Sequence, residues 1–182
     1  MGKLFSEIDE RNAEFIRAQH VFFVATAPSG GDGHVNLSPK GLDSFEILDG
    51  TTVAYLDLVG SGIETAAHLR DDGRIVIMFC TFEGPPRILR LHGRAEAVEP
   101  GDPDWEELLA RFPVHGAPRC VVRAHLDRIS DSCGFGVPLY RYEGERDQLP
   151  KWAERKGQDG IERYKAENNA SSIDGLPGLR GA

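Results

Sequence analysis

The segment SFEILDGTTVAYLD, residues 44–57, decides the fold class because it holds two strand-like stretches around one turn signal. Asp49-Gly50 lies at its centre, and Asp-Gly between hydrophobic stretches is the strongest short-range signal for a β-hairpin. Apolar and β-branched residues flank the turn on both sides, which is typical of half-buried strands. The segment therefore predicts an antiparallel hairpin in the middle of a β-rich domain.

Further strand-like segments lie on both sides of this hairpin. The clearest is RILRLHGRAEAVE, residues 87–99, where small or apolar residues alternate with polar ones, the period of a strand with one buried face. Pro39 in VNLSPKG, residues 35–41, must end that strand or confine it to a sheet edge. The other predicted strands cover residues 20–27, 74–82 and 119–130, with a weaker candidate at 138–144.

Helices are predicted only at the ends of the chain and between hairpins. The best pattern is at residues 104–112, where four large apolar residues recur at helical spacing. The other predicted helices cover residues 6–19 with Ser6 as N-cap, 63–70 and 148–168, and residues 171–182 are predicted to be a loose tail. Mostly antiparallel strands with few helices favour a closed barrel over a doubly wound sheet.

The predicted fold class is therefore mainly β with peripheral helices. The length of 182 residues suits one such unit. We expect a barrel over residues 1–145, with a C-terminal helix and tail over residues 146–182 that pack on the same domain.

Composition limits the partners of the chain. With 29 acidic and 21 basic side chains, the net charge of -8 disfavours nucleic acid and anionic membrane surfaces. No apolar run approaches the roughly 20 residues that span a bilayer. Three cysteines without a CxxC pair indicate reduced thiols and a cytoplasmic location. The six histidines lack metal-binding spacing, so we expect no metal site.

The segment VNLSPKG carries the most suggestive group of polar side chains. Residues two apart in a strand share a face, so Asn36, Ser38 and, if the strand continues past Pro39, Lys40 would lie together. One interpretation is the solvated face of an edge strand. The alternative is a row of side chains facing a ligand that needs hydrogen bonds and one positive charge.

Two further segments could recognise an anion. Ser61, in the turn GSG, and Thr65 lie at the predicted start of a helix, where free N–H groups attract phosphates. The other interpretation of this turn is an ordinary helix cap. Arg87 lies at the mouth of its predicted strand and is free to reach an anion, whereas Arg90 and Arg94 belong to the polar face of that strand.

Five segments, taken in order, resemble the pyridoxamine 5'-phosphate oxidase-like family over residues 5–142. They are the N-terminal helix with HVFFVATA, then VNLSPKG, TTVAYLD with VGSGIETAAHL, DDGRIVIMF and RILRLHGRAEAVE. The resemblance implies an antiparallel split β-barrel of the FMN-binding type. It also implies a homodimer with FMN at the subunit interface, where both chains and a small-molecule substrate contact the cofactor.

The resemblance further implies ten cofactor contacts. Five would run along the flavin ring and ribityl chain: Asn36, Leu37, Ser38, Pro39 and Lys40. Tyr55 and Leu56 would flank the flavin from the next strand. Ser61, Thr65 and Arg87 would lie near the phosphate.

The chain departs from the family pattern at several of its positions. Glu64 and Thr65 stand where oxidases of this family place an Arg-Lys pair at the phosphate, and Ile88 replaces a glutamine that faces the flavin. A carboxylate beside a phosphate is repulsive, so the match leaves open how the phosphate is held. The C-terminal Trp and Arg motif of true pyridoxamine-phosphate oxidases is missing, and we do not predict oxidation of vitamin B6. No catalytic residue is assigned.

The function implied by the resemblance is an FMN-binding oxidoreductase. It would transfer hydride or electrons between FMN and a nicotinamide or another small organic substrate. The alternatives are a non-catalytic flavin-binding or sensing protein, a relative that uses haem or a deazaflavin, and a cofactor-free dimer. Cys133, in SCGFGVP, is interpreted as a small residue in a tight loop rather than as a nucleophile, because Asp131 nearby disfavours a thiolate.

Overall fold

Eight strands form one antiparallel sheet in the computed structural model, which describes residues 2–113 and 116–180. The strands are β1 (Leu4–Phe5), β2 (Phe22–Thr26), β3 (Asn36–Lys40), β4 (Phe45–Ile47), β5 (Thr52–Leu58), β6 (Arg74–Cys80), β7 (Ile88–Val98) and β8 (Pro118–Ser132). Their order is β3-β2-β6-β7-β8-β5-β4, and β1 pairs with β8. Because β3 and β4 are both edge strands, the sheet is a split barrel rather than a closed one, which confirms the split-barrel fold.

The hairpin predicted from residues 44–57 is present as β4 and β5. Ile47 lies opposite Val53, and the turn between them carries Asp49. The Asp49 carboxylate accepts the Thr51 N–H at 2.8 Å, and this bond lowers the pKa of Asp49. Pro39 lies in edge strand β3, where its missing N–H costs no ladder bond.

Four helices accompany the sheet in the described part of the chain: α1 (Glu10–Arg17), α2 (Glu64–Asp71), α3 (Trp105–Leu109) and α4 (Gln148–Asn168). The prediction of Ser6 as N-cap of the first helix was wrong. Residues 4–5 pair with β8, so the helix begins later, and Asp9 caps it by accepting the Asn12 N–H at 2.8 Å. In α4, Gly157 adopts φ 65° and ψ 173° and kinks the helix.

The alternation predicted for residues 87–99 is confirmed in β7, where Leu89 and Leu91 are fully buried between half-exposed polar residues. A bulge follows in the β7–β8 ladder at His92 and Gly93. A Cβ built on Gly93 would lie 2.0 Å from the backbone oxygen of His125, so only glycine allows the two long strands to approach here.

The sheet is buried on both faces at β5 and β8. One face packs into the barrel interior with side chains such as Val53, Tyr55 and Leu91, and the other packs against α3 through Leu56 and Trp105. Each fully buried side chain of this size contributes about 1.5–3 kcal/mol of hydrophobic free energy. Strands β5 and β8 are therefore packed on both faces, whereas β3 at the edge alternates between half-buried and exposed residues.

Two predictions for the C-terminal part were wrong. Residues 138–144 form no strand and are bound to the loop after β6 by single bonds, such as the Tyr140 N–H to the Phe82 oxygen at 3.0 Å. The tail is not loose over residues 171–180: Asp174 pairs with His34 at 2.6 Å, and the Arg180 N–H donates to Glu99 at 2.8 Å. Residues 181–182 lie outside the described residues.

No helix of the described residues is long and apolar enough to cross a bilayer.

Candidate functional site

A cavity of about 370 Å³ opens beside edge strand β3, at the start of α2. We call it the β3 cavity, and its main walls come from β3, β5, α2 and β8: Asn36, Ser38, Lys40, Leu56, Leu58, Glu64, Thr65 and Arg119. Leu149 of α4 also lines it. Its volume lies in the range of small-molecule sites, about 300–1,000 Å³.

The three polar residues predicted to share a face of β3 do line this cavity. We call Asn36, Ser38 and Lys40 the polar row. Ser38 Oγ donates to Asn36 Oδ1 at 3.0 Å, and Asn36 Nδ2 donates to Thr65 Oγ1 at 3.0 Å. The row is thus ordered by hydrogen bonds to itself and to α2, which favours the ligand-facing interpretation over a freely solvated face.

The hydrogen-bonded row continues into the protein interior through residues that the sequence did not single out. Asn36 Nδ2 also lies 3.3 Å from Thr26 Oγ1, which lies 3.0 Å from Nδ1 of the fully buried His68. His68 Nε2 has no hydrogen-bond partner among the described residues. A chain of polar groups therefore connects the cavity wall to a buried histidine on α2.

A buried ion cluster forms the floor of the cavity. Lys40 Nζ and Arg119 Nε each lie 2.6 Å from a different oxygen of the buried Asp57. Burial alone would raise the pKa of Asp57, but the charges of Lys40 and Arg119 outweigh it and lower the pKa to about 2. Asp57 also raises the pKa of Arg119 against the opposing effect of burial. Asp57 and Arg119 are therefore both charged at neutral pH.

Asn169, at the end of α4, joins the C-terminal part of the chain to this cluster. Its Oδ1 accepts from Arg119 Nη1 at 3.2 Å, and its Nδ2 donates to the Gly60 oxygen at 3.0 Å. Asn169 is fully buried. Asn169 thereby holds the loop before α2, for which the sequence left open an anion site or an ordinary helix cap.

A carboxylate occupies the start of α2. Ile63, at the N-cap position, makes no side-chain cap bond, and Glu64 follows in the first turn. A Cβ built on Gly62 would lie 2.5 Å from Glu64 Oε2, so the glycine makes room for this carboxylate. Glu64 Oε1 also accepts the Ile173 N–H of the tail at 3.4 Å.

Six of the ten predicted cofactor contacts line the β3 cavity: Asn36, Ser38, Pro39, Lys40, Leu56 and Thr65. The side chain of Leu37 is exposed, and so is Ser61 in the loop before α2. Tyr55 lies fully buried in the barrel, with Lys40 Nζ 5.8 Å from its ring centroid. Burial, and next the charge of Asp57, raise the pKa of Tyr55 well above its usual value, so its hydroxyl stays protonated.

Arg87 does not line the β3 cavity of its own chain. It donates to Asn12 Oδ1 at 2.6 Å, pairs with Asp131 at 3.2 Å and lies over the Phe15 ring at 4.7 Å. Arg87, Phe15 and Asp131 line a separate surface cavity that also includes Cys133. Contact of the ten residues with a cofactor stays a prediction.

The loop between β3 and β4 carries backbone strain next to the cavity. Leu42 and Asp43 both have positive φ, at 61° and 50°. Left-handed backbone costs non-glycine residues about 1–2 kcal/mol each, and such strain concentrates at functional sites. Gly41, Leu42 and Ser44 of this loop all line the β3 cavity.

The cysteines offer no activated nucleophile at this site. Cys120 lies 3.8 Å from Asp57 Oδ2, and burial together with that charge raises its pKa to about 12. Cys133 is exposed and precedes Gly134, which has φ 66° in a turn closed by the Val137 N–H. Its place in a tight loop follows the prediction. Within residues 2–113 and 116–180, no three His, Cys, Asp or Glu side chains form a metal-binding group.

Comparison with known proteins identifies the family. The family model described as pyridoxamine 5'-phosphate oxidase matches residues 8–133. The chain is 36% identical, over 199 aligned residues, to the pyridoxamine 5'-phosphate oxidase family protein ustO of Aspergillus flavus, with 100% of this chain and 80% of that protein covered.

Solved structures agree on the fold. HupZ of Group A Streptococcus is 26% identical with a TM-score of 0.52, covering 67% of this chain and 91% of its own. A FAD-binding protein of Mesorhizobium loti is 14% identical with a TM-score of 0.50, covering 72% and 96%. At that identity the second likeness concerns the fold alone. By its family match and its curated relative, the chain belongs to the pyridoxamine 5'-phosphate oxidase family.

Proposed function

We propose that the protein is an FMN-binding oxidoreductase of this family. It would transfer hydride or electrons between FMN in the β3 cavity and a nicotinamide or another small organic substrate. The observation that carries this proposal is the polar row of Asn36, Ser38 and Lys40, which lines a cavity of about 370 Å³ instead of facing bulk water. FMN is chosen over other flavins because the sequence resemblance implies it.

The cavity residues fit the ring and ribityl chain of a flavin. Leu56, Leu58 and Val59 add apolar groups to the cavity wall that also carries the hydroxyl and amide groups of the polar row. A flat ring with one polar edge, followed by a polyol, needs this combination. When bound, the flavin supplies the redox chemistry, and the chain's own residues bind, orient and exclude water.

A homodimer is part of the proposal. Val35, just before edge strand β3, and Leu37, on that strand, are 73% and 66% exposed. Apolar side chains at an open sheet edge are typical of a surface that another chain covers. A role for Arg87 at the cofactor phosphate would then require the second chain, because Arg87 lies outside the cavity of its own chain. The free thiols support the cytoplasm as its location.

One observation favours a non-catalytic flavin-binding protein as the second candidate. Lys40, the lysine on the cavity wall, lies 2.6 Å from Asp57, so its amino group is already engaged by a carboxylate of the protein. Turnover of NADH or NADPH by the flavin-loaded protein separates the two candidates. Haem has less support, since none of the five histidines that the structure describes lines the cavity.

The proposal is tested by the absorption spectrum of protein purified without added cofactor, with the released chromophore identified by mass. We expect oxidised flavin and FMN at one per subunit. Ser38→Leu fills the cavity and should weaken FMN binding about tenfold or more, equivalent to about 1.4 kcal/mol. Ser6→Leu, at an exposed site outside the cavity, is the matched control. A colourless protein that also fails to bind added FMN would overturn the proposal.

A further inference from the structure

We infer that Glu64 cancels the contribution of the phosphate group to cofactor binding, so that the β3 cavity binds riboflavin about as tightly as FMN. The inference rests on the proposed function and concerns which part of the flavin the site recognises. The ring and ribityl chain would then determine the affinity for a flavin, and the phosphate monoester would not increase that affinity.

The formal charges around the cavity cancel. Lys40 and Arg119 line it as cations, but both are already paired with Asp57, at 2.6 Å each. Asp57 is ionised, since its two partners lower its pKa to about 2. Glu64 adds a second negative charge on the cavity wall. A dianion entering this cavity therefore meets no net positive charge from the lining residues of its own chain.

Glu64 lies where an incoming anion would need the backbone donors of α2. The first turn of a helix offers free N–H groups and a partial positive charge. Here the N-cap residue Ile63 provides no side-chain bond, and the Glu64 carboxylate folds back over Gly62, within 2.5 Å of a Cβ built there. A carboxylate fixed at this end offsets the partial charge of the helix.

The tail keeps the Glu64 carboxylate in this position. The Ile173 N–H donates to Glu64 Oε1 at 3.4 Å, and the next residue, Asp174, anchors the tail by pairing with His34 at 2.6 Å. Because the Ile173 N–H donates to this carboxylate, moving the carboxylate away to admit a phosphate would break that bond. The phosphate monoester of FMN carries about 1.5–2 negative charges at pH 7, so it is the group that this arrangement opposes.

The experiment compares riboflavin and FMN as probes. Apo-protein is titrated with each flavin, and the dissociation constant is measured from the quenching of flavin fluorescence, which does not depend on enzymatic activity. The wild type is compared with Glu64→Gln, which removes the charge and keeps the shape. Glu106→Gln is the matched control, since Glu106 is also a first-turn glutamate, on α3, and does not line the cavity.

We expect the wild type to bind the two flavins with dissociation constants within about threefold of each other. In Glu64→Gln, FMN should bind about tenfold more tightly, while riboflavin binds as before, because only the phosphate meets the lost charge. Glu106→Gln should change neither value.

Wild-type protein that binds FMN a hundredfold or more tightly than riboflavin would overturn the inference, even if Glu64→Gln failed to fold. So would equal effects of Glu64→Gln on both flavins. Either result leaves the proposed function standing. Failure of all variants to bind either flavin would overturn the proposed function itself, and the inference with it.

Discussion

Two buried carboxylates in this protein, Asp57 and Glu99, are each paired with two cations. The two clusters differ in how far the cations are exposed to solvent. In the Asp57 cluster (Asp57, Lys40 and Arg119), the side chains of the two cations are 20% and 6% exposed. In the Glu99 cluster (Glu99, Arg70 and Arg180), they are 28% and 58% exposed. The first cluster joins three strands at the cavity, and the second joins α2 to the C-terminal tail.

The exposure of the cations determines how much each cluster contributes to the stability of the fold. A charge buried without its partner is costly, whereas an ion pair near solvent adds about 0–1 kcal/mol. The Asp57 cluster should therefore be needed for folding of the cavity floor, and the Glu99 cluster should matter mainly for holding the tail. Four predictions test this contrast.

The largest effect is expected from Asp57→Asn. It leaves the cations Lys40 and Arg119 in the cavity floor without a negative charge, which should lower the free energy of unfolding by about 3–5 kcal/mol. Urea denaturation followed by circular dichroism measures the loss. Glu99→Gln is the matched variant and should cost clearly less, because Arg70 and Arg180 reach water. Equal losses in the two variants would contradict the contrast.

The pH dependence of stability should come next in size. The pKa of Asp57 is about 2 in the folded chain, below its ordinary value of 3.8, so the ionised form stabilises the folded state. This contribution is present in full above about pH 4 and is lost as the pH falls toward 2. It amounts to about 2 kcal/mol.

Unfolding in urea at several pH values between 6 and 2.5 measures this contribution. The stability difference between the wild type and Asp57→Asn should shrink by up to about 2 kcal/mol as the pH falls. A difference that stays constant to pH 2.5 would show that the Asp57 charge is not what stabilises the floor.

The sequence predicted the strands and the polar row because both follow from local alternation. Asn36, Ser38 and Lys40 are two residues apart, and any strand through them places them on one face. The Asp57 cluster could not be predicted from the sequence, because Asp57 and Arg119 are 62 positions apart and come together only across the β5–β8 ladder. No local pattern marks such a pair.

The tail and Arg87 show two other limits of local patterns. Residues 171–180 are polar and contain glycine and proline, which is typical of a loose end, but Asp174 and Arg180 order them through partners far away in the sequence. Arg87 is at the mouth of its strand as predicted, yet Asn12 and Asp131 hold its guanidinium away from the cavity of its own chain.

A smaller effect is expected from Asn169→Ala, where the tail meets the Asp57 cluster. The substitution removes the Asn169 bonds to Arg119 Nη1 and to the Gly60 oxygen, which keep only their own 3.4 Å contact with each other. The loss should cost about 1–3 kcal/mol. Asn168→Ala is the matched control, since the exposed Asn168 side chain bonds only to the Tyr164 oxygen of its own helix. Thermal unfolding of both variants measures the difference, and equal melting temperatures would contradict the role of Asn169.

The smallest effect is expected from Arg180→Ala. The substitution keeps the backbone N–H that donates to Glu99 at 2.8 Å, and it removes only side-chain pairs with Glu99 and Asp102 from a half-exposed arginine. The free energy of unfolding should fall by less than about 1 kcal/mol. Hydrogen exchange should nevertheless become faster over residues 171–180, because the tail loses one of its anchors while the sheet keeps all of its own.

Arg155→Ala, at an exposed site on α4, should change neither quantity. A loss for Arg180→Ala as large as that for Asp57→Asn would mean that the tail and the cavity floor unfold as one cooperative unit, and the contrast between the two clusters would then be wrong.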